Sequence, residues 1–176
     1  SFASLHKGFI HLKPTSSFAP ISHGGQIYAF QATDAFRTGL EMDVNFQRGK
    51  SLFKSTSSIL GQWALETGLG LPFTPPLDLF NSYSYSIRDN LSIILSHRAI
   101  APSYILARNE DFTDGVSLIG MELKLNSRQG QFYFKVDNIL NRSWLNHISA
   151  YRALGLVAQG RWWLLSWSMD IKQLNN

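Results

Sequence analysis

Histidines are the side chains of this sequence with the clearest capacity for metal chemistry, and there are five of them in 176 residues. Metal sites use clustered imidazole and carboxylate ligands that one scaffold holds together. His6 and His11 are the two closest in sequence, but their odd separation predicts that they face opposite sides of a strand. The pair is therefore a poor chelator. Because the sequence contains no cysteine, it offers no thiolate ligand and no disulfide.

A second group of potentially reactive side chains lies in a loop near the C-terminus. This loop follows Asn141 and contains His147, Tyr151 and Arg152. Loops often carry binding residues, because a rigid scaffold can present them to solvent. We therefore consider His147, Tyr151 and Arg152 candidates for contact with an external ligand. The alternative, which these residue types favour, is that they tie the loop to itself or to neighbouring loops.

Catalytic motifs are absent from the sequence. There is no Gly-x-Ser-x-Gly, no His-Glu-x-x-His, no glycine-rich phosphate loop and no paired-carboxylate motif. Glu41, Asp43, Glu122 and Lys124 alternate with apolar residues, which indicates a hydrated strand face better than acid–base catalysis. The sequence thus predicts a protein that is not an enzyme and that needs no cofactor.

The segment after this loop is predicted to be a strand, and its residue pattern indicates the environment of that strand. Large apolar side chains, several of them tryptophan, alternate with small polar ones. One face carries Trp163, Leu165, Trp167, Met169 and Ile171, and the other carries Ser166, Ser168, Asp170 and Lys172. Such a strand suits a wall between lipid and a wet lumen.

The composition agrees with a membrane wall built of strands. Charged residues make up 16% of the chain, aromatic residues 13%, and the mean hydropathy is −0.08. No apolar run approaches the length of a membrane-spanning helix. No signal peptide is recognisable, so we expect a mature chain or an internal start. The net charge of +4 is not concentrated in a basic run with interleaved aromatics, so nucleic acid is not an expected partner.

Alternating segments recur along the chain and predict about eight strands. Their connections alternate between long and short, as in outer-membrane barrels. Residues 13–25, with Pro14 and Pro20, are predicted to form a loop. The short turns are expected at 48–50, 88–90 and 127–130. The predicted strand segments are 2–12, 26–33, 40–47, 51–65, 77–88, 91–106, 116–126, 131–139 and 160–172.

The fold class that follows is all-β: a transmembrane antiparallel β-barrel segment of about eight strands, and the family resemblance described below implies that it completes a larger plugged barrel. Trp63, Trp163 and Trp167 are expected to form a membrane girdle, because tryptophan collects at membrane interfaces. A soluble β-sandwich is an alternative, since it also has alternating strands. A self-contained eight-stranded barrel acting as an adhesin, an anchor or a small enzyme is another.

An ordered set of short motifs resembles the C-terminal barrel of TonB-dependent outer-membrane receptors of the Bacteroidetes type. The resemblance covers essentially the whole chain, and each motif alone is weak. Two features depart from the family pattern: Gln159 replaces a usual proline, and the last strand closes with Ile171 and a polar tail rather than an aromatic residue. The motifs include Gln31–Ala35, Leu71–Pro76, Asn109–Thr113, Val136–Asn141, Trp144, His147, Ser149, Tyr151-Arg152, Gly155 and Gly160-Arg161.

The resemblance implies a location, a function and a set of partners. Residues 1–176 would be the C-terminal strands of a receptor barrel in the bacterial outer membrane, with no plug domain in this chain. The function implied is active import of a scarce nutrient, of the iron chelate, haem or cobalamin class. The implied partners are the lipid bilayer, the remaining barrel strands and plug (from the same parent protein or a second chain), and a TonB-type energy-transducing protein that acts through the plug.

Overall fold

The computed structural model describes residues 1–19 and 25–169, and its described part is built from β-strands and loops. A single turn of 3-10 helix lies at Arg152–Leu154. None of the helices found in this part of the chain is long and apolar enough to cross a membrane. The strands are β1 (Phe2–Phe18), β2 (Gln26–Arg48), β3 (Ser51–Ala64), β4 (Asp78–Arg88), β5 (Leu91–Ile100), β6 (Val116–Ser127), β7 (Gly130–Asp137) and β8 (Trp162–Ser168).

The eight strands form one antiparallel sheet in which each strand pairs with its neighbours in sequence, in the order β1 to β8. The prediction of an all-β meander is confirmed. Within the described residues β1 and β8 pair on one side only, so the sheet has two open edges. The soluble sandwich is contradicted, because a sandwich needs two sheets that pack face to face.

The connections alternate in length, as the sequence predicts. Short turns join β2 to β3, β4 to β5 and β6 to β7, at residues 49–50, 89–90 and 128–129. The connections after β3, β5 and β7 are long, and all of them leave the opposite rim. We call the two ends of the sheet the short-turn rim and the long-loop rim.

Several predicted strand limits are wrong. β1 runs through Pro14, which pairs with Tyr28, so part of the loop predicted at 13–25 is strand. Proline occurs in strands at a sheet edge, where a missing N–H costs no ladder hydrogen bond, and within the described residues β1 is such an edge strand. The two predicted segments 26–33 and 40–47 are one strand of 23 residues, β2. β5 ends at Ile100, before Pro102. The predicted end of the last strand at 170–172 lies outside the described residues.

One face of the sheet is apolar and has no protein partner. A continuous row of apolar side chains crosses β2 to β8, and on the other face a polar row crosses β2 to β6. We call these two surfaces the apolar face and the polar face. The apolar row is Phe46, Phe53, Tyr83, Leu95, Met121, Val136 and Trp163; the polar row is Asn45, Lys54, Ser82, Ser96 and Gly120.

The exposed area shows how little of the apolar surface the fold buries. Only Ala35, Leu71 and Val136 are buried among the described hydrophobic residues, whereas Leu165 is 77% exposed. The chain exposes 11914 Å², against about 8,700 Å² expected for a compact monomer of 19.9 kDa. A sheet of this kind needs another apolar phase against its apolar face.

A bulge in β1 changes which residues share a face. The pairing between β1 and β2 shifts between His6 and Phe9. Gly8 occupies the bulge with a φ of 62°, and its N–H donates to Asp34 Oδ1 at 2.9 Å. The extra residue brings His6 and His11 to the same side, the polar face. The prediction that these histidines face opposite sides is therefore wrong, because odd spacing reverses the face only in a regular strand.

Candidate functional site

The long loops pack together at their rim, and most of the deeply buried residues of the described chain lie in or beside them. We use the name loop cap for residues 65–77, 101–115 and 138–161. Leu71 is 2% exposed. The buried polar side chains of the cap are Thr74, Ser103, Thr113, Asn138 and His147. The cap is thus a folded unit, although loops commonly pack poorly.

Glu110 lies at the centre of the loop cap. Its side chain is fully buried and forms an ion pair with the guanidinium of Arg152. Its carboxylate also accepts hydrogen bonds from two backbone amides, Phe73 N at 2.8 Å and Ala107 N at 3.0 Å. These partners come from the connections after β3, β5 and β7. One carboxylate therefore joins the three long loops.

His147 is buried beside this ion pair. Its Nδ1 lies 2.9 Å from the Thr113 hydroxyl, and its Nε2 lies 3.9 Å from Glu110 Oε1. Burial, followed by the positive charge of Arg152, lowers the pKa of His147, and the opposing effect of Glu110 is smaller. The imidazole is consequently held in its neutral form within the cap.

Arg152 connects the cap to the tall hairpin formed by β1 and β2. Its guanidinium carbon lies 5.3 Å from the centre of the Phe73 ring, and that ring lies 5.6 Å from the ring of Tyr28 on β2. The Tyr28 hydroxyl donates to Ala150 O at 3.0 Å. Cation–π and aromatic contacts of this kind are worth about 0.5–2 kcal/mol each. The hairpin and the loops therefore support one another.

The three residues that the sequence suggested as contacts for an external ligand lie in two different environments. His147 and Arg152 come together in the interior, where they tie loops to each other. Tyr151 is 56% exposed at the surface of the cap. Of the three, Tyr151 alone presents its ring to solvent. The sequence placed Glu110 within the Asn109–Thr113 motif but gave its side chain no role, since Phe73 and Arg152 are distant from it in sequence.

The three candidate girdle tryptophans lie on the apolar face at different levels. Trp63 is near the long-loop rim and stacks on Phe36, with ring centres 6.0 Å apart. Trp167 is at the short-turn rim, where its Nε1–H donates to Gln129 O at 3.1 Å. Trp163 is the second residue of β8, at the end of that strand towards the long loops, and is 65% exposed. Trp63 and Trp167 thus mark opposite ends of the apolar face.

On strands β4 to β7 the polar face carries charges that are paired. Arg98 donates to both carboxylate oxygens of Asp78. Lys135 lies 3.0 Å from Asp137 and 3.8 Å from Glu122. An open cavity of about 500 Å³ lies here, with Trp144 and Trp162 also in its wall. Paired charges of this kind suit a hydrated wall better than a proton-transfer site.

Metal-binding clusters are not found in the part of the chain that the structure describes. No group of three His, Asp or Glu side chains comes close enough there to hold an ion.

Comparison with known proteins identifies the fold. No protein-family model matches this sequence, and no curated protein matches it. Among solved structures, the chain is similar to one described as "Copper transporter OprC", with a TM-score of 0.76 and 17% sequence identity. The match covers 92% of this chain but 27% of that one, so this chain spans about a quarter of the neighbour's length. The fold is that of a transmembrane antiparallel β-barrel segment of the outer-membrane type.

Proposed function

We propose that this chain forms the C-terminal strands of a TonB-dependent outer-membrane receptor that imports a scarce nutrient. One observation carries the proposal: a single open sheet has an exposed apolar face, a polar face, short turns at one rim and packed loops at the other. Lipid would cover the apolar face and water or a plug the polar face. The ordered resemblance of the sequence to Bacteroidetes-type receptors supports the same function.

The open edges determine which partners the proposal needs. Unpaired backbone groups cannot remain exposed to lipid, so β1 and β8 must pair with other strands. Those strands would come from the same parent protein or from a second chain, together with a plug that contacts the TonB-type energy-transducing protein. A self-contained eight-stranded barrel, acting as an adhesin or anchor, would instead need β1 to pair with β8.

The same proposal gives roles to the candidate residues. Trp63, Trp163 and Trp167 would form the membrane girdle, with Trp167 at the interface of the short-turn rim, because a half-wet ring suits the headgroup region. Tyr151 would be available to an incoming ligand. His147 and Arg152 would hold the loop cap in shape.

The nutrient class rests on similarity alone. The resemblance of the sequence points to an iron chelate, haem or cobalamin. The structural neighbour is named a copper transporter, which adds copper to the candidates.

Mass spectrometry of the particle purified from outer membranes tests the assembly. Native and then denaturing spectra are compared after detergent extraction. The proposal expects this chain within a longer polypeptide, or together with a second one, that contains the plug and the remaining strands. A folded particle of 19.9 kDa by itself would instead support the small closed barrel.

Uptake measurements test the transport function separately. Cells with and without the gene are grown under iron or copper limitation, and metal content is measured by elemental mass spectrometry. The proposal expects gene-dependent accumulation of one metal that stops when an uncoupler abolishes the proton-motive force. Accumulation that continues in the presence of the uncoupler contradicts energised import. Cobalamin-limited growth provides the corresponding measurement for that cargo.

A further inference from the structure

Basic and aromatic side chains form a column on the polar face of β1, which the proposed function does not use. The ring centres of His6 and Phe9 are 5.7 Å apart. Those of Phe9 and His11 are 6.5 Å apart, with their planes inclined by 16°. The guanidinium carbon of Arg37, on β2, lies 5.3 Å from the Phe9 ring centre. One cationic group and two imidazole rings therefore pack around Phe9.

The column continues into a cavity of about 220 Å³ beneath the loop cap. His11, Lys13 and Arg108 contribute the basic groups of its wall, and Glu66 contributes the only acidic group of that wall. This balance differs from the larger cavity of the polar face, where acids and bases alternate in pairs. The smaller cavity thus has an excess of hydrogen-bond donors and positive charge.

Two buried nitrogen atoms of the column have no hydrogen-bond partner within the described residues: His11 Nδ1, in the wall of this cavity, and Arg37 Nε, which belongs to the wall of a different cavity on the other side of Phe9. Buried polar atoms are nearly always paired, since leaving one unpaired costs about 1–3 kcal/mol. Arg37 Nε can only donate, and an imidazole nitrogen can donate when it carries a proton. An acceptor that enters this cavity from the polar face would satisfy His11 Nδ1.

We propose that the His6–His11 column and its cavity form a binding site for the oxyanion group of a small solute, a carboxylate or a phosphate. Lys13 and Arg108 supply the charge, His11 supplies a further donor, and its stacking on Phe9 fixes the orientation of the His11 ring. Charge-assisted hydrogen bonds to such oxygens are about twice as strong as neutral ones. A cavity of this volume accommodates a single anionic group and not a folded segment of protein.

The site depends on the bulge at Gly8. In a regular strand His6 and His11 would lie on opposite faces, and no column would form. The φ of 62° at Gly8 and the hydrogen bond from its N–H to Asp34 hold the extra residue in place. The bulge therefore turns two separated histidines into neighbours on one surface.

Calorimetric titration of the purified parent protein in detergent tests the site. The probes are citrate and inorganic phosphate, each at two salt concentrations. We expect one of them to bind, and Lys13→Gln to weaken that binding by at least about tenfold, because it removes one charge-assisted hydrogen bond. Lys7→Gln is the matched control, because Lys7 belongs to the same strand but is exposed at the bulge. This control should leave the affinity unchanged.

The outcomes separate the possible ligands and separate this inference from the proposed function. Binding of citrate alone identifies a carboxylate site, and binding of phosphate alone a phosphate site. No binding of either probe, or equal losses in Lys13→Gln and Lys7→Gln, overturns the inference. The titration requires no transport, so it can fail while gene-dependent uptake persists, and it can succeed in a barrel that imports nothing.

Discussion

At the scale of single residues, the loop cap depends most on Glu110. Glu110→Gln would remove the charge that faces the nearly buried guanidinium of Arg152. Removing one partner of a buried ion pair costs about 3–5 kcal/mol, and we expect the low end because glutamine retains an acceptor oxygen. Hydrogen exchange at the Phe73 and Ala107 amides, which donate to this carboxylate, measures the loss of protection directly.

The matched control for this change is Asp114→Asn. Asp114 lies in the same connection and is exposed, so its neutralisation should alter protection little. Equal loss of protection in the two variants would contradict the central position of Glu110. Unchanged exchange in Glu110→Gln would do so as well.

His147 makes the cap sensitive to acid. Its folded-state pKa is below the ordinary value of 6.5, so the unfolded loop binds the proton more readily than the folded one. The stability contributed by the neutral imidazole is present above about pH 6.5 and is lost as the pH falls below that value. Proteolysis of the cap measured between pH 7.5 and 5 should therefore accelerate in acid. His147→Asn preserves an acceptor near Thr113 and should flatten the pH dependence of proteolysis. An unchanged pH dependence in this variant would mean that another group causes it.

Sequence reasoning found part of this cluster and missed its centre. His147 and Arg152 were recognisable because a polar loop gathers unusual residue types. Glu110 was not recognisable, because it is 42 residues from Arg152 in sequence and nothing next to it distinguishes its carboxylate from others in loops. The role of Glu110 depends on its burial. That burial arises from the packing of three loops that are distant in sequence, and no local sequence pattern encodes this packing.

At the scale of elements, the two faces of β8 predict different tolerances to charge. Leu165 is on the apolar face, further from the short turn than Trp167, and Ser166 is on the polar face. Leu165→Arg should cost about 2–4 kcal/mol if its level is near the bilayer midplane. Ser166→Arg should cost much less, because water or polar groups remain available to it. Urea unfolding from lipid vesicles measures both variants, and equal costs would refute the assignment of the faces.

Strands were predictable where their alternation is regular. The alternating faces of 40–47 and of 77–88 were predicted correctly, although 40–47 is only one part of β2, because the period of two follows directly from strand geometry. The part of the β1–β2 hairpin nearest the long-loop rim was not predicted correctly. Pro14 was placed in a loop and Gly8 at a regular strand position, but the first lies within β1, an edge strand of the described residues, and the second forms a bulge. The shared face of His6 and His11 followed from that bulge and could not be anticipated.

At the scale of the whole molecule, alternation between short turns and long loops was the most reliable signal of the sequence. This alternation indicated the order of the strands and the two rims without any information about side-chain packing. The closure of the barrel was not predictable in the same way, because the described residues leave β1 and β8 each unpaired on one side and no local pattern encodes which strands meet them.

The open edges predict how the chain behaves by itself. β1 leaves one side of a strand of 17 residues unpaired, and each unsatisfied backbone group in lipid costs several kcal/mol. Refolded alone in detergent, the chain should fail to give a compact monomer and should associate through its edges. The parent protein under the same conditions should give a single species whose electrophoretic mobility changes on heating, as expected of a closed barrel. A monomeric, heat-modifiable species of the isolated chain would mean that β1 and β8 can close on each other, and the small barrel would then replace the receptor segment.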